Sequence, residues 1–359
     1  MIKAGESLPE LWTDSRFKAI DIPDHLPAAT IIRLADDRLL FVDCNATRSS
    51  GDNGLTWSDP HSIYRGESGQ APLEGIGIPN ARGQMLRTRE DTLIVVYRDS
   101  KVLKWNAETG EPGSDGTGAV WGIRSRDGGK TWGDRQRIFN GICGHPPINM
   151  IQTVSGRVIV PIQPILPNPG RNVIRTYVSD DEGASWLPGN IIDLGGHGNH
   201  DGAFEPSIIE LKDGRVWMLI RTNLDYLWEA ISEDGGRFFH VIRPTVVEAS
   251  SSPPFLARLA SGRIALAWNR LYREGTRTYP SRDSGPLHMA DNVSWQREEL
   301  SLAFSDDEGH SWSKPELVAR QKDARLAYPY LFEVEPGRIW LFMGQGKLQL
   351  EFLERDLIG

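Results

Sequence analysis

The chain has 359 residues, a formal net charge of −8 and 25% charged residues, an ordinary composition for a globular protein. The acidic balance and the lack of a basic run argue against nucleic acid as a partner. No apolar stretch approaches the roughly 20 residues that span a bilayer. The start of the sequence has no signal pattern, so we expect a cytoplasmic protein, or a secreted or periplasmic one if a leader was trimmed. Two cysteines, Cys44 and Cys143, are too few for a disulfide framework and favour free thiols.

Six segments in chain order share one pattern, in which an apolar strand end meets a polar turn and a β-rich apolar strand follows. This pattern is typical of a β-hairpin. The segments are 34–41, 88–96, 153–161, 211–219, 259–267 and 334–342. Their recurrence at about 60 residues, without any long helical periodicity, predicts propeller blades rather than a helical solenoid.

A second repeat follows each of the first five hairpins, with the form Ser-x-Asp-x-Gly-x-Ser/Thr-aromatic. Its copies are 50–57, 125–132, 179–186, a degenerate 232–239, and 305–312. We expect the Asp to accept hydrogen bonds from its own turn, the Gly to supply a positive φ, and the aromatic residue to pack between neighbouring blades. The repeat is therefore predicted to be a structural staple. A calcium loop would need a longer run of ligands, and we expect neither a metal nor a cofactor.

The predicted fold is all-β, a six-bladed β-propeller with these acidic turns, forming a single domain over residues 1–359. Each blade should be a four-stranded antiparallel sheet. No acidic turn follows the last hairpin, and only 347–359 remain after it. We therefore expect segment 17–24, which alternates apolar and polar residues, to pair as the outer strand of the sixth blade.

Equivalent positions of successive blades lie on one ring around the central channel. Ten residues before each hairpin turn are the inner-strand start positions: Ala28, Arg82, Pro147, Glu205, Pro253 and Tyr328. Six residues after each turn are the second-strand end positions: Cys44, Arg98, Gln163, Arg221, Asn269 and Gly344. Polar and charged side chains that converge at one end of a channel predict a binding site there.

The acidic turn resembles the Asp-box of the sialidase-like proteins, and the resemblance covers nearly the whole chain. The segment "EPSIIELKDGRVWMLIRT" (205–222) is similar to the start of the family's fourth blade. That resemblance implies a catalytic role for Glu205. It also implies that Arg221 is a carboxylate-binding arginine.

Two further segments are similar to family motifs. The segment "REELSLAFSDDEGHSW" (297–312) implies that Arg297 is a second substrate-binding arginine. The segment "YPYLFEVEPGR" (328–338) implies that Tyr328 is the nucleophile. A guanidinium fork suits the carboxylate of an acidic sugar, and sialidases use Tyr in place of a carboxylate nucleophile. A phenol needs a neighbouring base, which would be Glu205.

The first blade departs from the family pattern. Pro27 or Ala28 stands where the family has the third arginine of its carboxylate clamp, and Asp43 is the sole acid of the short stretch 43–50. We expect the second blade to compensate, with Arg82 and Arg98 as substrate-binding residues.

The sequence also leaves the identity of the general acid open. Asp115 lies in the long Gly-rich insert 100–122 and is the first candidate for this catalytic role. His145 is one rival, and the segment 196–205 offers the others, His197, His200 and Asp201.

The sequence thus predicts an exo-acting glycoside hydrolase for a glycan that ends in an acidic sugar. One alternative is a uronate-directed glycosidase or lyase with His145 or His200 in proton transfer beside Tyr328. Another is a non-catalytic glycan-binding propeller. The oligomeric state stays open.

Overall fold

The computed structural model describes residues 11–20, 22, 30–43, 46–63, 83–100, 104–106, 108–114, 116, 118–280, 293–346 and 348–358. Their regular structure is almost entirely β-strand, with one short helical turn at Glu354–Asp356. Six antiparallel sheets form the six blades of a propeller, which confirms the predicted fold class. No helix among these residues is long and apolar enough to cross a lipid bilayer.

The first three blades each run from the innermost strand outwards. The strands of blade one are Thr30–Arg33, Leu39–Asp43, Ala46–Ser50 and His61–Ser62. Those of blade two are Gln84–Arg87, Leu93–Ser100, Gly118–Ser125 and Gly133–Phe139. Those of blade three are Ile151–Gln152, Val158–Ile162, Ile174–Ser179 and Leu187–Ile192, with a small extra hairpin of Ile165–Leu166 and Arg171–Asn172.

The last three blades repeat this order, and two of them take a strand from the beginning of the chain. The strands of blade four are Phe204–Glu210, Val216–Arg221, Tyr226–Ser232 and Val241–Glu248. Those of blade five are Phe255–Arg258, Ile264–Trp268, Glu299–Ser305 and Glu316–Arg320, with Trp12–Thr13 at its outer edge. Those of blade six are Ala327–Glu335, Arg338–Gln345, Gln349–Leu353 and Lys18–Ala19.

The hairpin between the first two strands has the same backbone in every blade. A turn residue one or two positions before the hairpin's second strand has a positive φ in all six blades, and it is always Asp or Gly. These residues are Asp37, Asp91, Gly156, Gly214, Gly262 and Gly337. Because such a φ is tolerated well by Gly and acceptably by Asp, the sequence repeat reflects a backbone requirement.

The acidic turns staple their own blades. In the turn 305–312, Oδ1 of Asp307 accepts bonds from the Ser305 hydroxyl (2.8 Å) and the Ser311 N–H (2.8 Å). Its Oδ2 accepts the Ser311 hydroxyl. The hydrogen bonds from Ser311 lead those that hold the pKa of the Asp307 carboxyl at about 2. The other four turns repeat the Ser-to-Asp bond and the bond from the Gly N–H to the Ser hydroxyl.

The glycines and aromatic residues of these turns contact the preceding blade. A Cβ on Gly309 would lie 2.5 Å from the ring of Trp217 in blade four, and one on Gly54 would lie 2.5 Å from the ring of Trp340 in blade six. Trp186 and Trp312 pack between blades as expected, but they are half-buried, not fully buried. The turn lies at the molecular surface, so one edge of each indole stays in solvent.

The start of the chain crosses the outside of blades five and six. We call residues 11–20 the N-terminal strap. Trp12 pairs with Arg320 at the edge of blade five, and Lys18 pairs with Glu351 at the edge of blade six. Between these two pairings, Phe17 is buried in the core that the two blades share.

Candidate active site

Two residues at inner-strand start positions come together at the channel mouth. Glu205 is the second residue of the inner strand of blade four, and Tyr328 is the second residue of that of blade six. The hydroxyl of Tyr328 donates a hydrogen bond of 2.6 Å to Oε1 of Glu205. Both residues have a positive φ, 36° for Glu205 and 60° for Tyr328. This pair connects two blades that are not neighbours in the sequence.

Arg221 joins the pair through the register of blade four. It ends the second strand, where it lies opposite Phe204, so its side chain reaches the neighbouring Glu205. Its Nη1 donates to Oε2 of Glu205 at 2.6 Å, and both side chains are about 5% exposed. Its other nitrogens, Nε and Nη2, donate to the hydroxyl of Ser251 at 3.1 and 3.0 Å.

Arg297 is the second buried cation of the cluster. Its Nη1 donates to Oε1 of Gln345 and its Nη2 to the carbonyl of Ser251, both at 2.7 Å. The guanidinium lies 4.1 Å from the ring centre of Trp295 and 5.7 Å from that of Tyr328. Its Nε is buried and has no hydrogen-bond partner among the described residues.

The clustered groups have pKa values that are shifted far apart by burial and by one another's charges. Burial alone would raise the pKa of the Glu205 carboxyl, but the charges of Arg221 and His145 and the bond from Tyr328 outweigh burial and hold it at about 2. Burial and the Glu205 charge raise the pKa of the Tyr328 phenol to about 12. Burial and the charge of Arg221 lower the pKa of Arg297 to about 10. At neutral pH the phenol therefore keeps its proton beside an ionised carboxylate and two cations.

His145 lies on the same side of the mouth. Its Nε2 is 3.7 Å from Oε1 of Glu205, the oxygen that also accepts the Tyr328 hydroxyl. Its ring centre is 5.4 Å from that of Tyr328. The His145 side chain is 21% exposed, against 5% for Glu205, so it borders the open part of the site. The sequence offered this residue as one of several rivals, and the fold places it in contact with the pair.

Arg98 supports the loop that carries His145. Its Nη1 donates to the carbonyls of Cys143 (2.9 Å) and Gly144 (2.5 Å). No hydrogen bond or ion pair links it to Glu205 or Tyr328 among the described residues. Its expected role as a substrate ligand stays a prediction. Its observed hydrogen bonds are to main-chain carbonyls of the loop that carries His145.

The remaining candidates divide into two groups. Ala28, Arg82 and Asp115 lie outside the described residues, so their expected places in the site stay predictions. His197 bonds to the carbonyl of Thr109 at 2.8 Å, and the ring centre of His200 lies 6.1 Å from that of Trp295, with the two rings tilted by 43°. The carboxylate of Asp201 accepts the main-chain N–H of His197 at 3.1 Å. In the described part of the chain no group of three or more His, Cys, Asp or Glu residues could hold a metal ion.

Sequence reasoning missed four residues that hold the cluster in place. Ser251 bonds both arginines, and Asn223 accepts the Ser251 hydroxyl at 2.7 Å. Gln345 holds Arg297, and Trp295 stacks on it. Gln345 was within reach of the repeat arithmetic, since it follows a second-strand end position directly. Ser251, Asn223 and Trp295 lie in loops that have no repeat position.

A separate cleft lies between the outer parts of blades four and five. It has a volume of about 800 Å³, and Trp268, Tyr272, His310 and Trp312 are among the residues that line it. None of the clustered charged residues of the channel mouth lines this cleft. The assignment of the candidate site therefore rests on the converging charged groups and not on cavity size.

Comparison with known families agrees with this architecture. A family model described as a BNR repeat-like domain matches residues 43–341. The match spans most of the chain, which therefore belongs to the BNR repeat-like domain family. No curated protein matches the sequence significantly.

Solved structures of sialidase propellers share the fold at low sequence identity. The NanB sialidase from Streptococcus pneumoniae aligns with a TM-score of 0.58 and 12% identity, over 95% of this chain and 71% of that one. The intramolecular trans-sialidase from Ruminococcus gnavus, in complex with oseltamivir carboxylate, aligns with a TM-score of 0.58 and 14% identity, over 93% and 96% of the two chains. A protein of unknown function from Dyadobacter fermentans aligns with a TM-score of 0.63 and 16% identity, over 96% and 98%. The protein thus shares its propeller fold with these sialidases.

Proposed function

We propose that the protein is an exo-acting glycoside hydrolase that releases an acidic sugar from a glycan. The observation that carries this proposal is the hydrogen bond of 2.6 Å from the Tyr328 hydroxyl to Glu205, beside the buried cations Arg221 and Arg297. A carboxylate nucleophile would be repelled by the anionic sugar, whereas a neutral phenol is not. Tyr is the nucleophile used by sialidases for that reason.

The first bond change would occur at the anomeric carbon. The Oη of Tyr328 attacks this carbon as its proton passes to Oε1 of Glu205, and the glycosidic bond breaks as a separate general acid protonates the leaving oxygen. Because the pKa of Tyr328 is about 12 and that of Glu205 about 2, this proton moves only as the new carbon–oxygen bond removes charge from the phenol oxygen. Water then attacks the anomeric carbon and gives one proton to that general acid, the bond from Tyr328 to the carbon breaks, and the proton on Glu205 returns to Tyr328.

The positive charge of Arg297, whose guanidinium lies 5.7 Å from the ring centre of Tyr328, would attract the carboxylate of the sugar. The guanidinium of Arg221 keeps the Glu205 carboxylate ionised and ready to accept a proton. A charge-assisted hydrogen bond to a buried anion contributes about 1.5–3 kcal/mol, so a neutral sugar should bind far more weakly. The substrate class therefore follows from the cations, while the identity of the sugar depends on contacts outside this cluster.

A direct test compares umbelliferyl glycosides of N-acetylneuraminic acid, glucuronic acid and rhamnose, the last as a neutral control. We expect release of the fluorophore from one acidic glycoside and none from the rhamnoside. Glu205→Gln and Tyr328→Phe should each lower kcat by at least about a hundredfold. Activity that survives in both variants would refute the proposed pair, and a product with a new carbon–carbon double bond would show a lyase.

The chain offers a matched control for each variant. Glu210→Gln makes the same change at the far end of the same strand, where the carboxylate accepts the Val154 N–H. Tyr330→Phe makes the same change two residues after Tyr328, where the hydroxyl bonds to the main chain of Ile31. Both controls should keep their activity per folded molecule. If none of the three glycosides is cleaved but an acidic glycan binds, the protein is a binding propeller.

A further inference from the structure

We propose that His145 is the general acid of this site and protonates the oxygen of the leaving group. This inference rests on the proposed hydrolase function and assigns the proton donor that Tyr328 and Glu205 do not provide. Tyr328 is the nucleophile and Glu205 the base that accepts its proton, so a third group must supply a proton to the departing oxygen. Besides the two arginines, His145 is a described residue with a titratable side chain close to both members of the pair, with its Nε2 3.7 Å from Glu205 and its ring centre 5.4 Å from that of Tyr328.

The orientation of the imidazole places a proton on the correct nitrogen. Nδ1 of His145 lies 2.7 Å from the carbonyl oxygen of Pro146. A carbonyl only accepts, so Nδ1 must carry a hydrogen. The opposite nitrogen, Nε2, points at Oε1 of Glu205 from 3.7 Å. Two lone pairs facing each other at this distance would repel, and the ionised carboxylate stabilises a positive ring. The favoured state therefore carries a proton on Nε2, ready for transfer.

The place of the ring fits the path of the leaving group. His145 is the more exposed member of its pair with Glu205, at 21% against 5% of the side chain. The rest of the glycan must leave through the open side of the mouth, because the other side is filled by the buried Arg221 and Arg297. A donor at the solvent edge can reach the glycosidic oxygen while the base, Glu205, lies deeper.

The loop that carries His145 is fixed by hydrogen bonds to Arg98 and Gln163. Arg98 donates to the carbonyls of Cys143 and Gly144, and the N–H of Gly144 donates to the carbonyl of Gln163 at 2.7 Å. The side chain of Gln163 in turn accepts the main-chain N–H of Glu205 at 3.0 Å. The loop and the base are thus fixed to one residue, and this keeps the distance between His145 and Glu205 constant.

The proton balance closes over the two steps. In the first, Nε2 of His145 gives its proton to the glycosidic oxygen, and the alcohol departs as the bond from Tyr328 to the anomeric carbon forms. In the second, a water molecule attacks that carbon and its proton goes to Nε2, which restores the imidazolium. Glu205 returns the phenolic proton to Tyr328. The net change is the hydrolysis of one glycosidic bond.

The test uses glycosides of the acidic sugar that the enzyme cleaves, with two kinds of leaving group. An alkyl alcohol needs a proton to leave, whereas an acidic nitrophenol does not. His145→Gln should lower kcat/KM for the alkyl glycoside by about a hundred- to ten-thousandfold. The same variant should stay within about tenfold of the wild type on the nitrophenyl glycoside. His197→Gln, the same change in a loop residue that bonds Thr109, should leave both rates unchanged.

Each other outcome has a definite meaning. If His145→Gln loses both activities equally, or neither, His145 is not the acid and the inference is wrong. If the wild-type protein cleaves neither glycoside, the proposed hydrolase function fails first. Tyr328→Phe separates these cases further, because it should abolish cleavage of both glycosides whichever group is the acid.

Discussion

At the scale of single residues, the backbone strain at Glu205 and Tyr328 is local to the site. Both have a positive φ, 36° and 60°, a region that residues other than glycine seldom occupy. The equivalent positions of blades three and five are Pro147 and Pro253, whose rings hold φ near −65°. The blade repeat therefore does not require a positive φ. Such strain persists where surrounding contacts impose it, and here it directs the two side chains at each other.

We expect the pKa of Tyr328 to depend on the charge of Glu205. Burial and then the Glu205 carboxylate raise the pKa of this phenol to about 12, while Arg221 and Arg297 lower it. Glu205→Gln removes one raising influence and leaves both cations, so Tyr328 should ionise at a lower pH than in the wild type. An ultraviolet titration of tyrosinate, taken as the difference from the matching Tyr328→Phe protein, measures this shift. An unchanged or higher pKa would mean that Glu205 does not carry its charge there.

A second residue-scale prediction separates two roles for Arg98. If Arg98 positions the His145 loop, Arg98→Met should lower the rate for an alkyl glycoside more than for a nitrophenyl glycoside, as in His145→Gln but more weakly. If Arg98 instead binds the carboxylate of the sugar, KM should rise about ten- to a hundredfold for both glycosides alike. The observed bonds to Cys143 and Gly144 favour the first result.

At the scale of elements, the acidic turn combines a local staple with a contact between blades. Trp312 packs against Trp217 of blade four, with ring centres 6.3 Å apart, and it is half-buried. Trp312→Ala should lower the free energy of unfolding by about 3 kcal/mol, the low end for loss of a large aromatic residue. Asp307→Asn should cost less, because the new amide oxygen still accepts while only the bond to the Ser311 hydroxyl is lost.

Chemical denaturation with activity assays checks this ranking. Both variants should keep full turnover per folded molecule, because the turn lies away from Glu205 and Tyr328. Leu55→Ala is a suitable control, since this residue of the first acidic turn is 83% exposed and its loss should change little. Turnover lost from a folded Asp307→Asn protein would assign the turn a chemical role.

At the scale of the whole molecule, the ring is closed by strands from the two ends of the chain. Lys18–Ala19 pairs beside Gln349–Leu353 in blade six. Blade six then meets blade one through the Tyr330 hydroxyl, which bonds the main chain of Ile31. Phe17 of the strap packs 5.1 Å from Phe352. The strap thus connects blades five and six from outside, where each would otherwise expose an edge strand.

Loss of the strap should therefore destabilise the propeller. Deletion of residues 1–24 should lower the melting temperature sharply. Phe17→Ala should decrease the free energy of unfolding by about 3–5 kcal/mol, as for other buried aromatic residues. Lys18→Ala, an exposed neighbour on the same strand, is the control and should have little effect. An unchanged melt of the truncated protein would contradict a closing role for the strap.

The sequence by itself determined the fold, because the propeller repeats one local unit. Each hairpin needs a residue that accepts a positive φ, and each acidic turn needs its Ser, Asp and Gly, so the unit is visible as a motif. Equivalent positions of successive blades lie on one ring around the channel. Counting along the repeat therefore identifies Glu205, Arg221 and Tyr328 from the sequence alone. The resemblance to the sialidase-like proteins added Arg297, which has no place in the two rings.

Only the tertiary structure decided which side chains meet. His145 and Ser251 lie in loops between blades, and Trp295 lies in the long loop between the second and third strands of blade five. No repeat fixes the direction of the chain in these loops, and their contacts depend on how the surrounding strands pack. The half-burial of Trp312 likewise depends on the surface position of its turn and not on its residue type. Arg98 occupies the ring position that the sequence indicated. The fold nevertheless turns its guanidinium to the carbonyls of 143–144, because a buried cation needs acceptors and the nearest are those of this loop.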